Sequence, residues 1–200
     1  MNWILTADGR ELSVAYPSPD SLTIHALAHS LAQQVRFNGH ARRPYSVAEH
    51  SLLVAEIAER TLRIDVHGLM AALLHDGHEA ITGDMHTPGK REIGQPWYVW
   101  ERRHEHYVRT AFALHGPATT YKAAIHRADL LALATERAQL MPAHPRAWEC
   151  LDGVQPVDWI DLMDPGRVSM TWRDWRHTFL DRYHELEYAR NLQLFPMTPR

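Results

Sequence analysis

The stretch Leu69-Met70-Ala71-Ala72-Leu73-Leu74-His75-Asp76-Gly77-His78-Glu79-Ala80-Ile81-Thr82-Gly83-Asp84 decides how this chain is read. Its apolar run ends abruptly in His75-Asp76, and Glu79 and Asp84 follow within the next turns of chain. A helix that is apolar all round belongs in a core. Imidazole and carboxylate groups at the end of such a helix must be paired, neutralised or bound to a metal. The stretch therefore reads as the floor of a metal site. If the helix continues past Leu74, His75 and Glu79 share a face, with Asp76 projecting beside them.

Upstream, Asp65 can cap this helix, and Ser46-Val47-Ala48-Glu49 reads as a capping box opening a helix to about Arg63. On that helix Val47, His50, Val54, Ile57 and Ala58 fall on one face, so His50 points with the apolar stripe. Before it lies Arg36-Phe37-Asn38-Gly39-His40-Ala41-Arg42-Arg43-Pro44, a basic loop. A further helix is expected from about Leu22 to Val35, with His25 and His29 on one face. Spacing alone permits a metal pair there; interhelix or polar-face histidines are the commoner outcome. At the N-terminus Asp8-Gly9-Arg10, between Trp3–Ala7 and Glu11–Ala15, signals a short β-hairpin. Pro17 and Pro19 then break the chain.

Downstream, Thr82-Gly83-Asp84 and Thr87-Pro88-Gly89-Lys90 read as a loop in which Lys90 and Arg91 supply local positive charge. Pro96 opens a helix from about Trp97 to Leu114, which Gly116-Pro117 stops. Trp97 and Trp100 can stack on a base, although such aromatics more often pack a core or a lid. The next helix, about Thr120 to Leu140, carries Ile125, Asp129, Ala132 and Leu133 on one face. Asp129 is thus a carboxylate on an apolar stripe, which is unfavourable unless compensated. Pro142 and Pro145 end it. Trp148 to Arg167 reads as irregular, and Thr171-Trp172-Arg173-Asp174 as a second capping box. The last helix bears Trp175, Phe179 and Tyr183 as a packing stripe, and the tail after Asn191 is expected to be loose.

The 200 residues suit one domain with a substantial core. A net charge of -3 gives no general attraction for a nucleic acid polymer or an anionic membrane. The single cysteine, Cys150, excludes an internal disulfide and a cysteine-based zinc site. Residues Met1 to Asp8 lack the basic and apolar regions of a secretory signal, and no apolar run approaches ~18 residues. The expected compartment is the cytoplasm. Histidine and tryptophan faces suit subunit contacts, and a homo-oligomer is the expected form.

Three helices thus each bring ligand-type residues to an apolar face: His50, then His75 and Asp76, then Asp129. Two imidazoles and two carboxylates suit one divalent transition metal, whether manganese, cobalt, zinc or iron. Four ligands on an octahedral ion leave open positions for water and a substrate oxygen, the mark of a catalytic rather than a closed structural site.

The order His50, His75-Asp76, Asp129 resembles that of the HD-domain metal-dependent phosphohydrolases. Arg36-Phe37-Asn38-Gly39-His40, Tyr45-Ser46-Val47-Ala48-Glu49-His50-Ser51, Leu74-His75-Asp76, Thr82-Gly83-Asp84, Arg127-Ala128-Asp129 and Ala134-Thr135-Glu136-Arg137 are similar to the bacterial and phage branch that includes 5'-deoxynucleotidases and deoxynucleoside triphosphohydrolases. The resemblance spans about Leu22 to Met141. It implies an all-α HD-domain bundle around a single-metal site, with residues 1–20 as a hairpin extension, 21–141 as the HD core and 142–200 as a C-terminal loop and helix.

Residue by residue, the resemblance makes His50, His75, Asp76 and Asp129 the metal ligands. It makes Glu79 and Asp84 the groups that orient or deprotonate the attacking water, and Arg36 and Lys90 the groups that bind substrate. Relatives that hydrolyse guanosine tetraphosphate or hold two irons commonly carry an acidic pair after the His-Asp. Glu79-Ala80 stands here instead, which argues for one metal. The implied activity is a 5'-deoxynucleotidase releasing phosphate from deoxynucleoside monophosphates. The alternatives are a triphosphohydrolase releasing triphosphate, for which Arg42, Arg43, Lys122 and Arg127 are available cations, and a non-catalytic nucleotide-binding HD regulator. A third class, a helical metal-storage or haem-type bundle, leaves the acidic Thr82-Gly83-Asp84 loop without a purpose.

Overall fold

A computed structural model describes residues 2–194. Among them are ten α-helices and one two-stranded sheet, so the chain is mostly helical with a small antiparallel hairpin. Strands β1 (Trp3–Leu5) and β2 (Glu11–Ser13) pair in the register Trp3↔Ser13, Ile4↔Leu12 and Leu5↔Glu11. Asp8, at the hairpin tip, accepts hydrogen bonds from the Thr6 hydroxyl at 2.6 Å and the Thr23 hydroxyl at 2.7 Å. Thr23 is also the N-cap of helix α1 (Ile24–Gln33), so the turn and the helix start are tied together.

Helix α2 (Val47–Arg60) begins where sequence places it, with the Ser46 hydroxyl accepting from the Glu49 amide at 3.1 Å. The second half of the capping box is not made. The Glu49 carboxylate turns instead to Arg43, at 2.8 and 2.6 Å, and to Arg167, at 3.2 Å. Arg43 donates onward to the Leu162 carbonyl at 2.9 and 2.7 Å. This buried network binds the loop before α2 to the distant C-terminal third. Removing one partner of a buried ion pair leaves an uncompensated charge, at about 3–5 kcal/mol. Glu49→Ala should lose roughly that much stability in a urea titration, although Glu49 is not among the expected metal ligands.

Helix α3 (Val66–Leu73) is capped by Asp65, whose carboxylate accepts from the amides of His67 and Gly68, both at 3.0 Å, and from the Tyr121 hydroxyl at 2.6 Å. Desolvation opposes its ionised form, but these donors prevail and hold the Asp65 carboxyl below its ordinary value. A depressed folded-state pKa gives stability that is present above the unfolded pKa and lost as pH falls through the folded one. Asp65→Asn should therefore show a shallower loss of melting temperature than the parent as pH is lowered from about 6 to about 3.

Helix α3 stops before His75. Residues 74–78 form turns, and a separate short helix, α4 (Glu79–Thr82), follows, so His75 and Glu79 do not share a helical face as the spacing predicts. Gly77 lies at the closest approach of this turn to its neighbours. A Cβ there would lie 3.1 Å from the Leu74 carbonyl oxygen, 3.1 Å from Val108 Cγ1 and 3.3 Å from Leu27 Cδ1, so the turn presses close against two other helices.

Two segments expected as loop are helical. Helix α5 (Thr87–Ile93) starts on the His86 side chain, which accepts from the Gly89 amide at 2.9 Å, and Pro88 fits a first turn. Helix α6 (Gln95–Ala111) is followed by α7 (His115–Thr120), in whose first turn Gly116-Pro117 lies rather than stopping the chain. Helix α8 (Lys122–Leu140) carries Asp129. The segment after it is irregular apart from a 3₁₀ turn at Glu149–Leu151 and a short helix, α9 (Pro165–Ser169), capped by Asp164. Side chains of α8 pin this segment: Thr135 accepts from the Val157 amide, and Gln139 bonds the Ile160 carbonyl and the Leu162 amide.

Helix α10 (Trp172–Leu194) starts on a reciprocal Thr171–Asp174 box and buries Trp175, Phe179, Leu180, Tyr183 and Leu186. It packs on α1, α2 and α3, so one core runs from Leu12 to Leu186. Of the tail expected to be loose after Asn191, residues through Leu194 continue this helix, and residues 195–200 lie outside the described residues. No described helix is long and apolar enough to cross a membrane.

Candidate metal centre

The fold brings helices α2, α3 and α8 together, and His50, His75, Asp76 and Asp129 meet where they do. His50 on α2 is fully buried, and its Nδ1 lies 2.5 Å from Glu136 Oε1. The His75 Nδ1 lies 2.8 Å from the Ala72 carbonyl oxygen. Both acceptors require a proton on Nδ1, which leaves the Nε2 lone pair of each ring pointing the other way. His50 Nε2 then lies 3.5 Å from Asp76 Oδ2 and 3.3 Å from Asp129 Oδ1, and His75 Nε2 lies 3.2 Å from Asp76 Oδ2. Neither Nε2 has a hydrogen-bond partner among the described residues, although both are buried.

Two orphaned imidazole lone pairs facing two carboxylates fit a cation. The ligand atoms of His50, His75 and Asp76 lie within 4.8 Å of one another and could hold a metal ion. Asp129 adjoins this trio through His50. The charges agree. Burial and Arg36 oppose protonation of His50, but Glu136, Asp129 and Asp76 outweigh them and raise its pKa well above the ordinary imidazole value. The carboxylates that favour positive charge on His50 equally favour a cation beside it.

Glu79, at the start of α4, is buried, and its Oε2 has no partner. Desolvation, then the charges of Asp76 and Asp84, push its carboxyl well above the usual range. Asp84 follows Gly83, whose φ of 77° turns the chain out of α4. Desolvation raises the Asp84 pKa, partly offset by Arg36.

Arg36 reaches the cluster from behind. Its guanidinium lies 3.3 Å from Glu136 and 3.8 Å from Asp76, and it does not line the adjoining cavity. The loop that delivers it holds Phe37 and Asn38 in left-handed conformations, at φ 55° and 50°. Such strain is of order 1–3 kcal/mol per residue and persists only where the surroundings enforce it.

The cavity, of about 260 Å³, opens between α3, α6, α7 and α8. His75, Asp76 and Asp129 lie along it beside an apolar wall of Ala71, Leu74, Val108, Leu114, Ala118 and Ile125. Its polar lining includes His78, Lys90, Glu101, Glu105, Arg109 and Lys122. Lys90 Nζ is already 2.6 Å from Glu101, and Arg109 is paired with Glu105 at 3.3 Å. Lys122 has no carboxylate partner among the described residues.

Other expected residues lie elsewhere. His25 and His29 are interhelix groups, against His184 and Trp172 of α10. Trp97 is buried and meets Trp100 edge-on. Glu136, which sequence reading did not single out by role, stands seven residues after Asp129 on the same face of α8, a legible signal. Glu101 sits inside a charged run and had none.

The chain is 38% identical over 144 residues to RCAP_rcc00048, an uncharacterized protein of Rhodobacter capsulatus, a match covering 69% of this chain and 72% of that protein. It belongs to the same family. It is also 28% identical over 193 residues to the uncharacterized protein YfdR of Escherichia coli K12, covering 95% of this chain and 98% of the other. No family model matches the chain.

Proposed function

We propose that this protein is a metal-dependent phosphohydrolase of the HD-domain type, acting as a 5'-deoxynucleotidase on deoxynucleoside monophosphates. The observation that carries the reading is the pair of buried, unpartnered Nε2 atoms of His50 and His75 facing Asp76 and Asp129 at the end of a cavity. His50, His75, Asp76 and Asp129 would hold one divalent transition metal. When bound, such an ion lowers the pKa of a coordinated water and polarises a phosphoryl oxygen.

The chain's own groups supply the rest. Glu136 and the Ala72 carbonyl hold the two imidazoles in the tautomer that ligation needs. Glu79, its pKa raised by burial and by like charge, is a stronger proton acceptor than an ordinary carboxylate. The charge of Asp84 contributes to that raised pKa. Arg36 buttresses Glu136 and Asp76 and limits their mutual repulsion. The apolar wall of Ala71, Leu74, Val108, Leu114, Ala118 and Ile125 suits a nucleobase.

The cavity favours a monophosphate over a triphosphate. Of the cations once available for a longer phosphate chain, Arg43 is spent on Glu49, and Arg42 and Arg127 do not line the cavity. Of the lysines and arginines that line the cavity, Lys122 alone has no carboxylate partner among the described residues.

The test is phosphate release from the deoxynucleoside mono- and triphosphates, with and without manganese or cobalt, with products separated by ion exchange. Metal-dependent release of inorganic phosphate from monophosphates is expected. Release of triphosphate, or binding without turnover, would overturn the reading. Glu136→Gln should weaken cobalt affinity by roughly 10–100-fold through loss of its hold on His50, measured by calorimetric titration.

A further inference from the structure

Beside the metal cluster, one wall of the cavity carries three polar side chains that the reaction above does not use in full. His78, between the metal-site turn and α4, is about 96% buried by its 4% exposure. Both of its ring nitrogens lack hydrogen-bond partners among the described residues. Its Nε2 lies 3.7 Å from Glu101 Oε1, and Lys90 Nζ lies 2.6 Å from the same oxygen. Glu101 is kept ionised, its pKa held down to about 2 by His78, against desolvation, and by Lys90.

The net charge of this trio decides what it suits. Lys90 is neutralised by Glu101, so the group offers little attraction for a phosphate and would set a carboxylate against it. What it offers is an ionised acceptor, an ammonium with further protons to donate, and an imidazole that can do either. That is the complement of a neutral hydroxyl, which both donates and accepts. A buried polar group without a partner is unfavourable until something pairs with it.

We propose that Glu101, Lys90 and His78 form a subsite for a sugar hydroxyl of the substrate. The assignment rests on the deoxynucleotidase reading, under which the only free sugar hydroxyl is the 3'-hydroxyl. The hydroxyl donates to Glu101 and accepts from Lys90 or His78. A site built to pair a hydroxyl strongly rejects an analogue without one, because its own polar groups are then left unpaired. The subsite therefore makes the 3'-hydroxyl a specificity determinant.

The experiment pairs each deoxynucleoside monophosphate with its 2',3'-dideoxy counterpart, read both as kcat/KM with cobalt and as calorimetric affinity in EDTA. The parent should prefer the deoxy member by on the order of 10²-fold or more. Glu101→Gln, nearly isosteric, should bring that ratio below about tenfold, mainly by loss on the deoxy substrate. Lys90→Met should act in the same direction and serves if Glu101→Gln fails to fold. Turnover with equal treatment of both members overturns the subsite and leaves the hydrolase reading standing. Discrimination in EDTA that Glu101→Gln abolishes, without turnover of any nucleotide, upholds the subsite and overturns the hydrolase reading. Neither binding nor turnover overturns both.

Discussion

Asp76→Ala is expected to abolish metal binding and, with it, all turnover. Asp76 Oδ2 lies 3.2 Å from His75 Nε2 and 3.5 Å from His50 Nε2, so it is the carboxylate on which both imidazoles converge. The two histidines hold it well below the usual carboxylate range, though desolvation pushes the other way. Alanine removes the anionic ligand shared by the trio and leaves Arg36, 3.8 Å away, with one carboxylate fewer to offset its charge beside the site. A dication would then meet two neutral rings, Asp129 and a guanidinium that repels it. Elemental analysis after dialysis against limiting cobalt should fall from about one metal per chain toward zero, since ligand number and charge set affinity at such sites. Circular dichroism would show whether the helices persist. A folded Asp76→Ala protein with undiminished metal and activity would remove the cluster from the mechanism.

Glu79→Ala should separate chemistry from metal binding. Glu79 is not among the converging ligands, yet it is buried with a free carboxylate oxygen and stands next to Asp76 and Asp84 in charge. Metal content should remain near that of the parent. Turnover should fall by on the order of 10²–10⁴-fold, the usual contribution of a positioned general base. The raised pKa of Glu79 adds a sign. The ionised carboxylate is the form that accepts a proton, so kcat should rise with pH through the Glu79 transition, and this limb should vanish in the variant. Full activity in Glu79→Ala would exclude it as the base.

Much of the site was legible because its side chains break a local rule. His50 and Asp129 each interrupt an apolar helical face, and His75-Asp76 ends an apolar run, so each signals compensation by something brought from elsewhere. Glu136 breaks the same rule on α8 and could have been found from its seven-residue offset to Asp129. What the sequence concealed depends on contacts between distant segments. The turn after Leu74 packs at Gly77 against Leu27 and Val108, and no local preference encodes that. The carboxylate of Glu49 abandons its capping role because Arg43 and Arg167 arrive beside it. Lys90 read as a free cation because Glu101, on another helix, cannot be placed from spacing. Gly116-Pro117 and Thr87-Pro88-Gly89 read as breakers, yet proline is tolerated in a first helical turn, and both segments form short helices.

The most direct measurement is anomalous diffraction from crystals grown with cobalt or manganese, collected at the absorption edge of the metal. One peak per chain is expected, at roughly 2.0–2.2 Å from the Nε2 atoms of residues 50 and 75 and from carboxylate oxygens of residues 76 and 129. A crystal with full metal in the medium and no peak between those four side chains, or a peak bound elsewhere, would contradict the account.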